Sequence, residues 1–315
     1  MGKKEREGDS EDDMIQRMRI LAGAAASLML LSCSCARAAT SDEFLPGRQA
    51  GIVRSDLVRE ASGIVASRQN PGVLWVHNDS GDEPRVYAIN ARGEFLGACT
   101  IRGAAARDWE DIAIGPGPDP NQHYLYVGDI GDNRGRYSEI VVYRVPEPKV
   151  GAAASFGRMT IGPADAIRLR YPDEPRDAEA LLVDPLSRDI YVLSKRELFS
   201  KVYRAVYPQS VTQPTRMEQV AVMPWGFAVA GDVSPDGRRV IVRGMFNASL
   251  WDRPAGEPLW CAFSGKQVQL PLMDEPQGEG ICFDSRGAGY FTISEMDRPP
   301  LHYFGPADPN AARRP

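Results

Sequence analysis

A short phrase recurs five times along this chain, and it limits the fold more than any other feature. The copies are Glu60-Ala61-Ser62-Gly63-Ile64, Glu110-Asp111-Ile112-Ala113, Glu179-Ala180-Leu181-Leu182, Gly231-Asp232-Val233-Ser234 and Glu279-Gly280-Ile281-Cys282. Each is an acidic or small polar head followed by an apolar run. The later copies go on into turns: Asp184-Pro185, Pro235-Asp236-Gly237 and Asp284-Ser285-Arg286-Gly287. A second strand-like run follows each phrase, at residues 73–76, 124–127, 190–193, 239–242 and 289–293. A spacing of roughly 50 residues, with several strands per unit, is the pattern of a β-propeller. A propeller brings the same position of every unit to one axis, so five separated heads become a ring.

Counting strands gives an all-β, five-bladed propeller over residues 51–304. The fifth unit lacks one strand before the chain moves into a Pro- and Arg-containing tail at 305–315, expected to be disordered. A spare strand-like piece at residues 51–57 is expected to complete that blade and close the ring, removing both exposed edges. Six blades are the alternative, because the gap around residues 151–171 is long enough for a degraded unit. The reading adopted is an insertion. The fourth unit is expected to end in an outer strand over residues 259–270. No sustained three-and-four apolar spacing follows residue 38, so little helix is expected. Trp109 and Trp225 lie just upstream of repeat phrases and are candidates to wall a pocket.

Residues 1–38 read as an export signal and leader, with residues 39–50 as a linker. Arg17 and Arg19 precede a hydrophobic run over residues 20–31, too short to span a bilayer. Leu30-Leu31-Ser32-Cys33 resembles a bacterial lipobox, which would lipidate Cys33. Ala36-Arg37-Ala38 is an alternative cleavage site that would release a soluble protein. The mixed-charge stretch before Met14 reads as lying upstream of the true start. The expected location is therefore periplasmic or cell-surface, with membrane contact only through a lipid. Beyond the leader there are three cysteines, Cys99, Cys261 and Cys282, which cannot all pair. With no CxxC or HExxH pattern, zinc is not expected. A net charge of −5 without a basic tract argues against nucleic acid. A monomer is expected.

Strand direction puts two sets of polar residues on one rim. The heads of the inner strands supply Glu60, Asp108, Glu110, Asp111, Asp177, Glu179, Asp232 and Glu279. The ends of the returning strands supply His77 and the Asn78–Asp82 turn, Asp129 through Asn133, Lys195 through Glu197, Arg243 and Glu295. Crowded carboxylates repel unless a cation sits among them. An all-oxygen ring suits Ca²⁺. The expected metal ligands are Glu60, Glu110, Glu179, Asp232 and Glu279. The expected catalytic groups are His77 or Asp129 as base, with Lys195 and Arg243 steadying negative charge. The repeated Asp-x-Glu of Asp108-Trp109-Glu110 and Asp177-Ala178-Glu179 points to a shared role.

Asp177-Ala178-Glu179 and Gly278-Glu279-Gly280 carry a resemblance to secreted bacterial β-propellers of the phytase-like, esterase-like and gluconolactonase-like groups. The resemblance implies calcium at a central channel lined by acidic residues. It covers the repeat heads and not the connecting loops. Few Lys and Arg surround the ring, which speaks against phytase activity itself. Two functions follow. One is a Ca²⁺-dependent hydrolase of a small ester, lactone or phosphoester. The other is a non-catalytic propeller that binds a surface partner.

Overall fold

The computed structural model describes residues 42–308. The export segment, Cys33 and residues 309–315 lie outside the described residues.

Five mainly antiparallel sheets are arranged as five blades. Their inner strands are Ala61–Ala66, Trp109–Pro116, Ala178–Val183, Ala228–Val233 and Gly278–Phe283. Each packs beside the next, and the fifth packs beside the first, so the ring is closed. These strands are nearly continuous in small and apolar residues and are almost wholly buried. They have a blade on either side and nowhere to face solvent. Outer strands such as Glu218–Val222 are largely uncovered and correspondingly mixed in character. The cores lie between neighbouring blades. Trp75 and Val86 of blade 1, for example, share a cluster with Ile112 and Leu125 of blade 2.

Arg48–Ile52 pairs antiparallel with Pro300–Phe304 and supplies the outer strand of blade 5. Closure by the N-terminal segment is therefore observed, a few residues earlier than the expected 51–57. Pairing continues past residue 304, where Phe44 bridges Pro306 and the Ala307 amide donates to the Glu43 carbonyl at 2.7 Å. The long gap after blade 2 is no sixth blade. Its Gly157–Ile161 segment runs parallel to Phe95–Ile101 and becomes a fifth strand on blade 1. Asp165–Arg170 then returns to blade 2, pairing with Ile140–Pro146.

Two local expectations fail for physical reasons. Residues 259–270 do not form one outer strand. Leu259–Ser264 is a 3-10 helix whose buried Leu259, Ala262 and Phe263 fall at helical spacing, and only Val268–Gln269 pairs with blade 4. Trp109 walls no pocket: it is buried edge-on against His77, 5.9 Å between ring centres. Trp225 packs on Trp251 at 6.1 Å. Cys99, Cys261 and Cys282 are all free.

One irregularity repeats around the ring. The inner strand and its returning partner slip register by one residue in every blade, between Ala61 and Ile64, Trp109 and Asp111, Ala178 and Ala180, Ala228 and Ala230, and Gly278 and Gly280. Such a β-bulge leaves one residue without a ladder partner and re-aims its side chain. The residues at this step are Ser62 with Gly63, then Glu110, Glu179, Val229 and Glu279.

Candidate functional site

The bulges set the site. They place Glu110 and Glu179 at equivalent positions on adjacent blades. Asp108 and Asp177 stand two residues earlier, where the strands begin. Oxygens of Glu110, Asp177 and Glu179 lie within 4.8 Å of one another, as do those of Asp79, Asp108 and Glu110. Glu110 belongs to both groups, so five carboxylates from three blades meet on one rim of the ring, here called the mouth. Gly131 makes room for them. A Cβ on it would stand 2.1 Å from Glu110 Oε1 and 2.5 Å from Asp108 Oδ2.

Backbone and cationic donors hold the edge of the cluster. Asp177 accepts from the Asp132 amide at 2.8 Å and from Arg196 Nε at 2.7 Å, tying blade 2 to blade 3. The Ser62 hydroxyl donates to the Glu110 carbonyl at 2.5 Å, tying blade 1 to blade 2. Lys195 donates through Nζ to Glu179 Oε1. Burial opposes the Lys195 charge, but Glu179 and Glu279 outweigh it, so the ammonium stays protonated. Burial pushes the Glu110 carboxyl well above the usual carboxylate range, and the charges of Glu179, Asp79 and Asp108 push it further. Asp108 is raised by burial and then by Asp177 and Asp129. Glu179 is raised as well, by burial and by Glu279 and Asp177, against the lowering effect of Lys195, so the acids of this group resist ionisation together.

The residues singled out from sequence divide sharply. Glu110, Glu179 and Lys195 are together, and Glu279 is close enough to act on the charges of Glu179 and Lys195. Glu60 is exposed and aligns with Asp108 and Asp177 rather than with the ring glutamates, so Ser62 takes the ring position in blade 1. Asp232 lies three residues beyond the bulge residue Val229. Its carboxylate accepts the amides of Val233 at 2.8 Å and Phe283 at 2.9 Å, away from the mouth. His77 is fully buried, with Nδ1 at 2.7 Å from the Asn78 carbonyl, and burial lowers its pKa to about 4. Asp129 accepts the Asp108 amide at 3.1 Å and is 3.3 Å from Arg107 Nε, so it braces the loop leading to Glu110. Arg243 forms a buried ion pair with Glu275, which also accepts from Thr292 at 2.6 Å and contacts His302 Nδ1 at 2.6 Å. The structure therefore does not bring Glu60, Asp232, His77 or Arg243 to the carboxylate cluster. It adds Asp79, Asp108 and Asp177. The two Asp-x-Glu phrases signalled the last two, since alternate strand residues share a face.

The donor set is all oxygen and rich in carboxylate, the chemistry of a hard divalent cation such as Ca²⁺. Its crowding fits a cation as well: burial and neighbouring carboxylates raise the Glu110 and Glu179 carboxyls despite Lys195.

No family model matches the sequence, and no curated protein matches it. Among solved structures the chain is similar to the WD40 domain of Neurospora crassa Pan2, at 10% identity and a TM-score of 0.44, covering 85% of this chain and 97% of that one. The five-bladed architecture rests on the sheet order and ring closure described above.

Proposed function

We propose that the mouth binds a divalent cation, Ca²⁺ by its donor chemistry, and that the protein uses it as a hydrolase of a small ester, lactone or phosphoester. The observation that carries this reading is the meeting of Asp79, Asp108, Glu110, Asp177 and Glu179 in two groups that share Glu110, the one with Asp177 and Glu179 being fully buried. A bound ion would polarise a substrate oxygen and make water a stronger nucleophile. The chain's own residues do the rest. Glu110, whose carboxyl is raised by burial and by the like charges around it, takes and returns the proton. Lys195 holds Glu179 in place and offers positive charge to an anionic group at the mouth. Asp129 and Arg107 fix the loop that carries Asp108.

A second reading has an observation of its own. Leu198, Phe199 and Phe246 are 79%, 55% and 73% exposed, on rim loops of blades 3 and 4 beside Lys195. Those loops are joined: the Phe227 amide donates to the Lys195 carbonyl at 3.0 Å, and the Met245 amide donates to the Phe227 carbonyl at 3.2 Å. Grouped exposed apolar residues suit a protein partner. In this reading basic side chains such as Lys195 and Arg196 neutralise the acids and no turnover occurs.

Metal analysis of purified protein, with an ester, lactone and phosphoester screen with and without chelator, separates the two. Chelator-sensitive hydrolysis is expected. Metal-free protein without hydrolysis would leave the binding reading. Export belongs to the same proposal, with lipidation at Cys33 or release after Ala38. Mass spectrometry of the mature N-terminus tests it, and an unprocessed chain would contradict it.

A further inference from the structure

The rim opposite the acidic mouth carries a pocket of different chemistry. It lies at the seam where the closing strand and blade 5 meet blade 1. Its volume is about 250 Å³, and Ala66, Val73, Leu74, Ala91 and Phe291 give it an apolar lining. A second space of about 340 Å³ adjoins it, lined by Leu45, Pro46 and Pro306. The two share Arg48, Arg286 and Tyr303, so they form one groove with both arginines at its middle.

The pocket lining sets two arginines, Arg48 and Arg286, both exposed, against one aspartate, Asp284. The Arg48 guanidinium lies over the Tyr303 ring, 5.4 Å from its centre. Asp284 also lines the pocket, but its oxygens are turned to other donors. They accept the amides of Arg286 at 2.9 Å, Ala288 at 3.0 Å and Gly289 at 3.1 Å, and the Tyr303 hydroxyl at 2.9 Å. No ion pair joins either guanidinium to a carboxylate among the described residues.

We propose that this seam groove binds a small amphipathic carboxylate, with its aliphatic or aromatic body in the apolar pocket and its carboxylate between Arg48 and Arg286. Guanidinium groups match a carboxylate in shape and charge. A small concave apolar space with a few convergent polar groups is the usual form of a small-molecule site. The groove spans the junction between the closing strand and blade 1, so its ligand also braces ring closure. The proposal stands on residues separate from the acidic mouth.

Saturation-transfer NMR and titration calorimetry with octanoate and benzoate test it, using octanol, benzamide and acetate as controls. Octanoate or benzoate is expected to bind, and the neutral analogues and acetate are not. Arg48→Gln and Arg286→Gln should each weaken binding about tenfold, with melting of the free protein unchanged. Should Arg48→Gln disturb the closing strand, Arg286→Gln on its surface turn decides alone. Absence of binding, equal binding of benzamide, or unchanged binding in Arg286→Gln would overturn the proposal. So would binding abolished by Glu110→Gln, which would move the ligand to the mouth. Arginine-dependent sedimentation with anionic phosphatidylglycerol vesicles, without binding of free octanoate, would assign the groove to a membrane surface and overturn it too.

Discussion

Glu110 and Asp111 are neighbours in sequence, both buried, both on the inner strand of blade 2, and they are wired in opposite ways. Asp111 points into the waist of the ring. It accepts its neighbour Ile112's amide at 2.8 Å, the Leu181 amide of blade 3 at 2.9 Å and the Gly231 amide of blade 4 at 3.2 Å. One carboxylate there joins three blades. Glu110, aimed upward by the bulge, faces Asp79, Asp108 and Glu179 instead. Burial alone therefore does not separate a structural acid from a poised one. The partners do: backbone donors make a clamp, and a crowd of like charges makes a carboxyl that resists ionisation.

The largest effect is expected from removing the mouth's lysine. Lys195→Met leaves Glu179 buried without its cation and should cost about 3–5 kcal/mol in urea denaturation of metal-free protein. A loss under about 1 kcal/mol would show that the acids do not depend on it. Asp111→Ala comes next, at about 2–4 kcal/mol, because the Leu181 and Gly231 amides lose their acceptor. Asp111→Asn should cost less than half as much, and equal losses would argue that the charge and not the acceptor matters.

The waist also carries a pH signature. Burial raises the Asp232 carboxyl to about 6, against 3.8 ordinarily, despite the amides it accepts. The folded state therefore holds this proton more tightly than the unfolded one. The associated stability is present below about pH 4 and is lost as pH rises through 6, by about 3 kcal/mol. Asp232→Asn should remove that slope, seen as the difference between the stability–pH curves of variant and parent. A slope that survives belongs to other groups. The smallest effect has the opposite sign from the others. Glu110→Gln removes a carboxyl whose ionisation is opposed by burial and like charges, and should raise metal-free stability by about 1 kcal/mol, while its neighbour Asp111 cannot be changed without loss.

How much of this could be read beforehand follows from the range of the interactions. Five inner strands were legible because each is a local apolar run behind a turn, and closure followed from the missing strand. Glu110 and Glu179 were legible because the Asp-x-Glu phrase repeats at equivalent points. Asp232 was aligned with them only by its phrase. The bulge sets the true register, and a bulge is a pairing event between two strands that neither sequence announces. Glu60 and Ser62 exchange roles for the same reason. Arg243 and Asp129 looked like rim charges, but their partners, Glu275 and Arg107, are chosen by loops folding over them. Asp79 sits in what reads as an ordinary hairpin turn, and only the returning strand of blade 1 brings it to Glu110.

Melting of the full protein, stripped with chelator and then supplied with Ca²⁺, tests the central claim most directly. A cation held by the mouth cluster should raise the melting temperature by about 5–10 °C near saturation. Glu110→Gln should abolish most of that rise while keeping the higher metal-free melting point. A curve unchanged by Ca²⁺ on protein shown to be metal-free, or a rise that Glu110→Gln leaves intact, would contradict the account.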